Sequence, residues 1–273
     1  MSQNPSPMVD STRAHGRIEE RIYPGKHHIA DDILPRPVEI YIPEKLDYVA
    51  EYGLLIHFHG AAYIAQNAVH AAKDPYITAV VNLGTGSAVY EKGFADGDAF
   101  PKLLDQVKET VSPHLGTTSC SRVYLSAFSA GYGAAGKILD GAADRVDGLI
   151  LLDGLHTGYV PAHLPLAAGS RLDPGELTPF LNLAIRAAKG EKKFLFTHSE
   201  VFPGTYASTT ECADHLLHLL QIERRPVLEW GPLGMQQLSV AHQGQFDVLG
   251  FAGNTAPDHM DHLHGLYHFL EIF

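Results

Sequence analysis

Residues 126–139 read SAFSAGYGAAGKIL, and two chemical templates lie across them. Gly131, Gly133 and Gly136 match G-x-G-x-x-G, a turn that carries a pyrophosphate on the N–H groups of a helix start. Ala127, Ser129 and Gly131 stand one residue type from G-x-S-x-G, a sharp turn that forces a serine Oγ out above a sheet. Each template needs a strand, a tight turn and a helix N-terminus. The turn alone accommodates either chemistry.

The pyrophosphate reading draws on Asp153, which ends the next apolar run near the spacing of a ribose-binding carboxylate. Three features count against it. Such a fingerprint usually opens its domain, and here strands come first. The stretch between the two strands is interrupted by Gly141 and is short for a crossover helix. The only Tyr-x-x-x-Lys match, Tyr41 to Lys45, has Pro43 inside.

The nucleophile reading explains more. Small residues two before and two after Ser129 fit a crowded, strained backbone. The helix start favours developing negative charge, and the Ala130 N–H can donate to an oxyanion. Gly133 and Gly136 then let the helix sit close to the sheet. Ser126 is the weaker nucleophile, because it lies inside the strand.

Two further features share this logic. HFHGAAY (57–63) follows an apolar strand, and a histidine-bearing loop, FAGNTAPDHMDHLHGL (251–266), follows the final one. The His-Gly pair resembles the oxyanion loop of α/β-hydrolases. In motif order, from residue 52 to the C-terminus, the chain resembles the esterase and lipase branch of that superfamily. The resemblance implies a serine nucleophile, a covalent acyl-enzyme and no cofactor. It implies a second oxyanion N–H at Ala61, with Ala62 as the alternative. It also implies the chain order Ser, Asp/Glu, His.

The base is then one of His259, His262 and His264. His259 is preferred, because it follows Asp258 at a helix start directly after the last strand; His262 is the alternative. The acid is Asp153 or Glu200. Asp153 is favoured by a narrow margin, being anchored at the end of GLILL, whereas Glu200 ends the following strand at the commoner acid position of the superfamily. Tyr63, Phe128, Tyr132 and Tyr159 are candidates for a substrate pocket, although aromatics pack in cores by default.

A metal site is the competing reading. His57-x-His59 resembles the first ligand pair of metal-dependent amidohydrolases, with His198 as a further ligand. HMDHLHGLYH lacks zincin spacing, and His59 already serves the oxyanion turn, so no metal is expected.

The elements that must position these residues alternate. Strands are expected at 36–43, 52–60, 77–84, 121–129, 146–154, 192–200 and 245–253. Helices are expected at 100–115 (ended by Pro113), after Ser129, at 176–190, at 208–222 with a Ser or Thr cap and Glu211 in the first turn, and at the C-terminus. This is an α/β fold of the α/β-hydrolase type: a mostly parallel central sheet flanked by helices, with a small lid at 154–190. Residues 1–273 read as one domain. Ligands bind such sheets at the carboxyl ends of the strands.

Bulk properties narrow the class. The chain has 273 residues, 45% hydrophobic and 19% charged, enough for a sizeable core. A net charge of -11 disfavours nucleic acid and anionic membranes as partners. Cys120 and Cys212 read as buried structural thiols. The polar stretch 1–16 lacks the apolar segment of a signal peptide, and no run reaches membrane-spanning length, so a cytoplasmic chain acting on a small ester is expected.

Overall fold

A computed structural model describes residues 17–31, 33–46, 49–116 and 118–273. The stretch 1–16 lies outside them. The chain falls into two compact units: Ile18–Ile150 with Leu266–Phe273, and Leu151–Gly265 with Arg17.

The first unit contains strands β1 (Gly25–Ala30), β2 (Val38–Pro43), β3 (Glu51–Phe58), β4 (Tyr76–Val81) and β5 (Ser119–Phe128), and the start of β6 (Gly148–Leu152). Its helices are α1 (Ala62–Ala71), α2 (Ser87–Gly93), α3 (Ala99–Leu115) and α4 (Tyr132–Ala142). The strand order is β1-β2-β4-β3-β5-β6. β3 runs parallel to both β4 and β5, while β2 is antiparallel to β1 and β4. Every residue of β4 and β6 is buried, as is β3 from Tyr52 onwards. A strand covered on both faces needs an unbroken apolar run, which is what ITAVV and GLILL supply. β1 ends the order and exposes half its residues; its histidines and lysine carry no such run.

α3 buries Leu103, Val107, Val111 and Leu115 at four-residue spacing. Pro113 does not end it, contrary to the sequence expectation. Pro113 lies in the last turn, where its missing N–H removes a single ladder bond, and the helix stops at Gly116 with φ 59°. Nor does Gly141 interrupt α4, which passes through it into Ala142; the space a Cβ would occupy there is open. Gly133 also differs from expectation. It backs onto helix α2, where a Cβ would lie 2.6 Å from the Ser87 carbonyl oxygen, and not onto the sheet.

The second unit continues β6 and adds β7 (Tyr159–Val160), β8 (Arg171–Leu172), α5 (Thr178–Ala188), β9 (Lys193–His198), α6 (Thr209–Leu220), β10 (Arg225–Trp230), β11 (Gln236–Gln243), β12 (Phe246–Phe251) and α7 (Ala256–His264). The order is β6-β9-β12-β11-β10, with β9 parallel to β12 and the last three antiparallel. β7 and β8 form a separate antiparallel pair within the 154–190 segment, a lid-like insertion. Two capping boxes fix helix starts. Ser208 and Glu211 exchange bonds on α6, and Thr255 and Asp258 do so on α7. The chain ends in α8 (Leu266–Ile272), which packs on α1 in the first unit.

Cys212 is buried, as expected, but Cys120 is exposed, because β5 begins with a run of exposed residues before it enters the core. Among the described residues no helix is long and apolar enough to cross a membrane.

Candidate active site

In the first unit the chain turns sharply where β5 gives way to α4. Ser129 has φ 46°, in the left-handed region that costs a non-glycine residue about 1–2 kcal/mol. The next residues explain why the turn is kept. A Cβ at Gly131 would overlap the Phe58 carbonyl at the end of β3, so the backbone passes where only glycine fits. Ala127 is fully buried at the end of β5. Ala130 lies in the short 3-10 turn Ser129–Gly131 that leads into α4.

The loop after β3 faces the same turn. His59 has φ 70°, and its ring stacks on Phe128 at 5.9 Å between centroids. Its Nδ1 lies 2.9 Å from the Tyr90 hydroxyl on α2. That hydroxyl also accepts from the Leu83 N–H and lies 3.2 Å from Asn82 Oδ1, while Asn82 Nδ2 donates to the Gly60 carbonyl. His59 and Gly60 are therefore pinned from two sides. Ala61, at the N-cap of α1, and Ala62, its first residue, follow directly. Tyr90 and Asn82 escaped the sequence reading, because a tyrosine in VYEK and an asparagine after VV carry no spacing signal.

In the second unit, Asp153 and His259 meet. Asp153 follows β6 with φ 43°, and its N–H donates to the Thr197 carbonyl at 2.9 Å. Its Oδ1 accepts from the Ser199 N–H and the Thr209 hydroxyl, both at 2.8 Å. Its Oδ2 accepts from the Ser199 hydroxyl at 2.6 Å and from His259 Nδ1 at 2.7 Å. Burial pushes this carboxyl up, but His262 and His259 nearby and the bonds from His259 and Ser199 outweigh it and hold it well below the usual carboxylate range. Burial itself pushes His262 down to about 4. Asp153 is thus a buried, ionised, four-fold acceptor. His259 is a quarter exposed on the first turns of α7.

The alternatives are engaged elsewhere. Glu200 is exposed and bonds Gly253: its N–H donates to the Gly253 carbonyl at 2.8 Å, and its Oε2 accepts from the Gly253 N–H at 3.3 Å. His262 sits buried with Nδ1 2.8 Å from the Thr197 hydroxyl, and His264 is buried too. Ser126 is fully buried and 2.8 Å from His57 Nδ1. Of the pocket candidates, Tyr63 and Tyr132 are half-buried at the starts of α1 and α4, and Phe128 is buried under the His59 ring. Tyr159 is buried, and its hydroxyl donates to Glu211 Oε2 at 2.8 Å, behind the cap of α6.

The same contacts bear on the other two chemistries. A ribose-binding Asp153 would need free acceptor sites, and all four partners above are protein groups. For a metal, His57 and His198 would be ligands, yet His57 faces Ser126 and His198 Nε2 faces the Arg224 guanidinium at 2.8 Å. A fixed cation beside a ligand nitrogen opposes metal binding.

No protein-family model matches the chain, and no curated protein matches it. Its fold does have solved counterparts. It is similar to an acetyl xylan esterase from Aspergillus awamori, at 10% identity and TM-score 0.51, over 90% of this chain and 100% of that one. It is similar to a mutant of the feruloyl esterase module from Clostridium thermocellum complexed with sinapinate, at 12% identity and TM-score 0.51, over 97% and 96%. A carboxyl esterase 2 from Tuber melanosporum matches at 13% identity and TM-score 0.50, over 98% and 90%.

The chain has the α/β-hydrolase fold.

Within an α/β-hydrolase fold, the turn after β5, the loop after β3 and the residues after β6 and β12 all stand at strand carboxyl ends, where such sheets place ligands. Ser199 and Thr209, which hold Asp153, were not foreseen from sequence. Ser199 leaves a trace only in the abrupt polar run THSE after the apolar FLF, and Thr209 only in the polar start of α6.

Proposed function

We propose that this protein is a serine hydrolase that cleaves a carboxylic ester through Ser129, His259 and Asp153. The observation that carries the reading is the 2.7 Å bond between His259 Nδ1 and the buried Asp153 carboxylate. An ionised carboxylate only accepts, so Nδ1 carries the proton and Nε2 presents a lone pair. That is the tautomer a general base needs. The positive φ of Ser129 at a strand-to-helix turn supports its role as nucleophile.

Ser129 Oγ attacks the ester carbonyl carbon while His259 Nε2 takes its proton. The Ala61 and Ala130 N–H groups hold the oxyanion that forms, with Ala62 as the alternative to Ala61. The tetrahedral adduct collapses, the C–O bond to the alcohol breaks, and His259 returns its proton to the leaving oxygen. Water then attacks the acyl-enzyme by the same route and releases the acid. The ionised Asp153 stabilises the imidazolium in both halves. No cofactor or metal takes part.

Residues 1–273 act as one catalytic domain, and 154–190 serves as a small lid over a small-molecule ester. Tyr63 and Tyr132 contribute to its pocket. The names of the structural neighbours, which include acetyl xylan, feruloyl and carboxyl esterases, support an ester over an amide or thioester. The test is labelling by a fluorophosphonate probe. Wild type should label and hydrolyse p-nitrophenyl acetate, and Ser129→Ala should do neither; equal labelling of the variant overturns the assignment.

A further inference from the structure

Beyond Ser199, which holds both oxygens of Asp153, lies a chain of side chains that the reaction above does not use. Arg224 precedes β10 and binds Asp214 through Nε and Nη2. Its Nη1 donates to His198 Nε2 at 2.8 Å and to Ser239 Oγ at 3.0 Å. His198 is 4% exposed at the end of β9. Its Nδ1 lies 3.0 Å from Thr210 Oγ1 and 3.3 Å from the Ser199 carbonyl, and Thr210 Oγ1 lies 2.8 Å from that carbonyl. Room for this cluster comes from Gly250 on β12, where a Cβ would lie 2.9 Å from His198 Nε2.

The direction of every bond in the chain is fixed by chemistry. A guanidinium cannot accept, so His198 Nε2 must be the bare nitrogen. Nδ1 therefore carries the proton and donates. A carbonyl cannot donate, so the Thr210 hydroxyl gives its proton to the Ser199 carbonyl and accepts from His198 Nδ1. Ser199 is held at its carbonyl and turns its N–H and hydroxyl onto the two oxygens of Asp153. Without Arg224 the imidazole is free to adopt the other tautomer. Its bare Nδ1 would then draw the Thr210 proton away from Ser199.

We propose that Arg224, His198 and Thr210 form a positioning relay that fixes the imidazole tautomer of His198, and through Ser199 fixes the orientation of Asp153 towards His259. This rests on Asp153 and His259 as the acid and base read above, and it goes beyond that reading by assigning roles to residues that touch no substrate. Buried and beside a fixed cation, His198 has its pKa pushed down to about 4, so its imidazole is neutral at pH 7. The relay is therefore a constant clamp and not a pH switch.

The two amide replacements of His198 separate this role from simple packing. Asn places its NH2 where Nδ1 stands, and Gln places its carbonyl where Nε2 stands. His198→Asn keeps the donor to Thr210, and His198→Gln keeps only the acceptor for Arg224. The readouts are steady-state kinetics on p-nitrophenyl acetate and the far-downfield proton resonance of the His259–Asp153 bond, assigned by its loss in His259→Ala.

In His198→Gln and Arg224→Met, kcat should fall about tenfold with KM within about twofold, and the resonance should broaden or move upfield. His198→Asn should stay within about threefold of wild type. Thr210→Val should behave like His198→Gln, and Thr210→Ser should restore activity, which keeps the proposal testable if a His198 variant fails to fold. Folded His198→Gln, Arg224→Met and Thr210→Val with wild-type kcat and resonance would overturn the relay. A wild type that neither labels nor hydrolyses esters, yet whose resonance responds to His198→Gln, would overturn the esterase reading and support the relay.

Discussion

The two units hold their candidate site residues by opposite means. In the first, Ser129 is held by exclusion: its φ of 46° persists because Gly131 is wedged against the Phe58 carbonyl and Ala127 is sealed in the core. In the second, Asp153 is held by attraction, through four donors aimed at one carboxylate. The difference matches what each group must do. A nucleophile has to present its oxygen to substrate, so the turn that aims it is fixed through backbone and packing. A carboxylate that stays ionised when buried needs donors, because desolvation alone would neutralise it.

The comparison breaks most visibly at the two reacting residues. Ser129→Ala should lower kcat by about 10⁴-fold or more without loss of fold. Ser129→Gly should be as inactive, yet about 1 kcal/mol more stable in urea titration, because glycine relieves the left-handed backbone. A destabilised glycine variant would show that the serine side chain, and not packing, sustains the turn. Asp153→Asn should cost a similar factor in kcat, about 10⁴-fold, by allowing the wrong His259 tautomer. It should also destabilise the fold by about 2–4 kcal/mol, because the amide NH2 faces donors.

The same variant tests the electrostatics. The folded state holds the Asp153 carboxyl below its ordinary value, so its stabilisation is complete above the unfolded value of about 3.9 and is lost as pH falls below it towards the folded value. Urea midpoints should therefore drop from about pH 4 downwards in wild type, and less steeply in Asp153→Asn. Parallel curves for the two proteins would remove Asp153 as a source of acid sensitivity.

The two modes of support were unequally legible in sequence. Exclusion leaves a local trace: small residues at fixed offsets from Ser129, and β-strands readable from unbroken apolar runs. Attraction leaves almost none, because Ser199 and Thr209 reach Asp153 across 46 and 56 positions, Arg224 reaches His198 across 26, and all three are ordinary polar types. The sequence favours Asp153 over Glu200 only by a narrow margin, and their partners in space differ far more. β10 and β11 were missed for a related reason. Their residues are mostly exposed or half-buried, so neither an apolar run nor a clean alternation marks them. Cys120 misled in the other direction, since its strand starts in solvent.

Gly131→Ala sharpens the contrast at lower cost. The added Cβ would meet backbone, the Phe58 carbonyl, which cannot rotate away as a side chain would. The expected loss is about 1–3 kcal/mol in urea unfolding, with the turn displaced and fluorophosphonate labelling slowed. Gly141→Ala, in the same helix but facing open space, serves as the control and should gain up to about 1 kcal/mol from helix propensity.

The smallest effect falls where the first unit departs from its own rule. The loop after β3 is fastened by a polar contact, from the Tyr90 hydroxyl to His59, Leu83 and Asn82. Tyr90→Phe removes one oxygen and leaves the ring against its neighbours, so about 1 kcal/mol of stability should be lost. If that loop supplies an oxyanion N–H, the loss should also appear in kcat, because a donor misplaced by a fraction of an ångström counts only when the oxyanion forms. KM should stay near wild type and kcat should fall about tenfold. A variant with lower stability and unchanged kcat would assign Tyr90 to folding alone. Exclusion at Gly131 and Phe128 would then suffice to hold the candidate residues of the first unit.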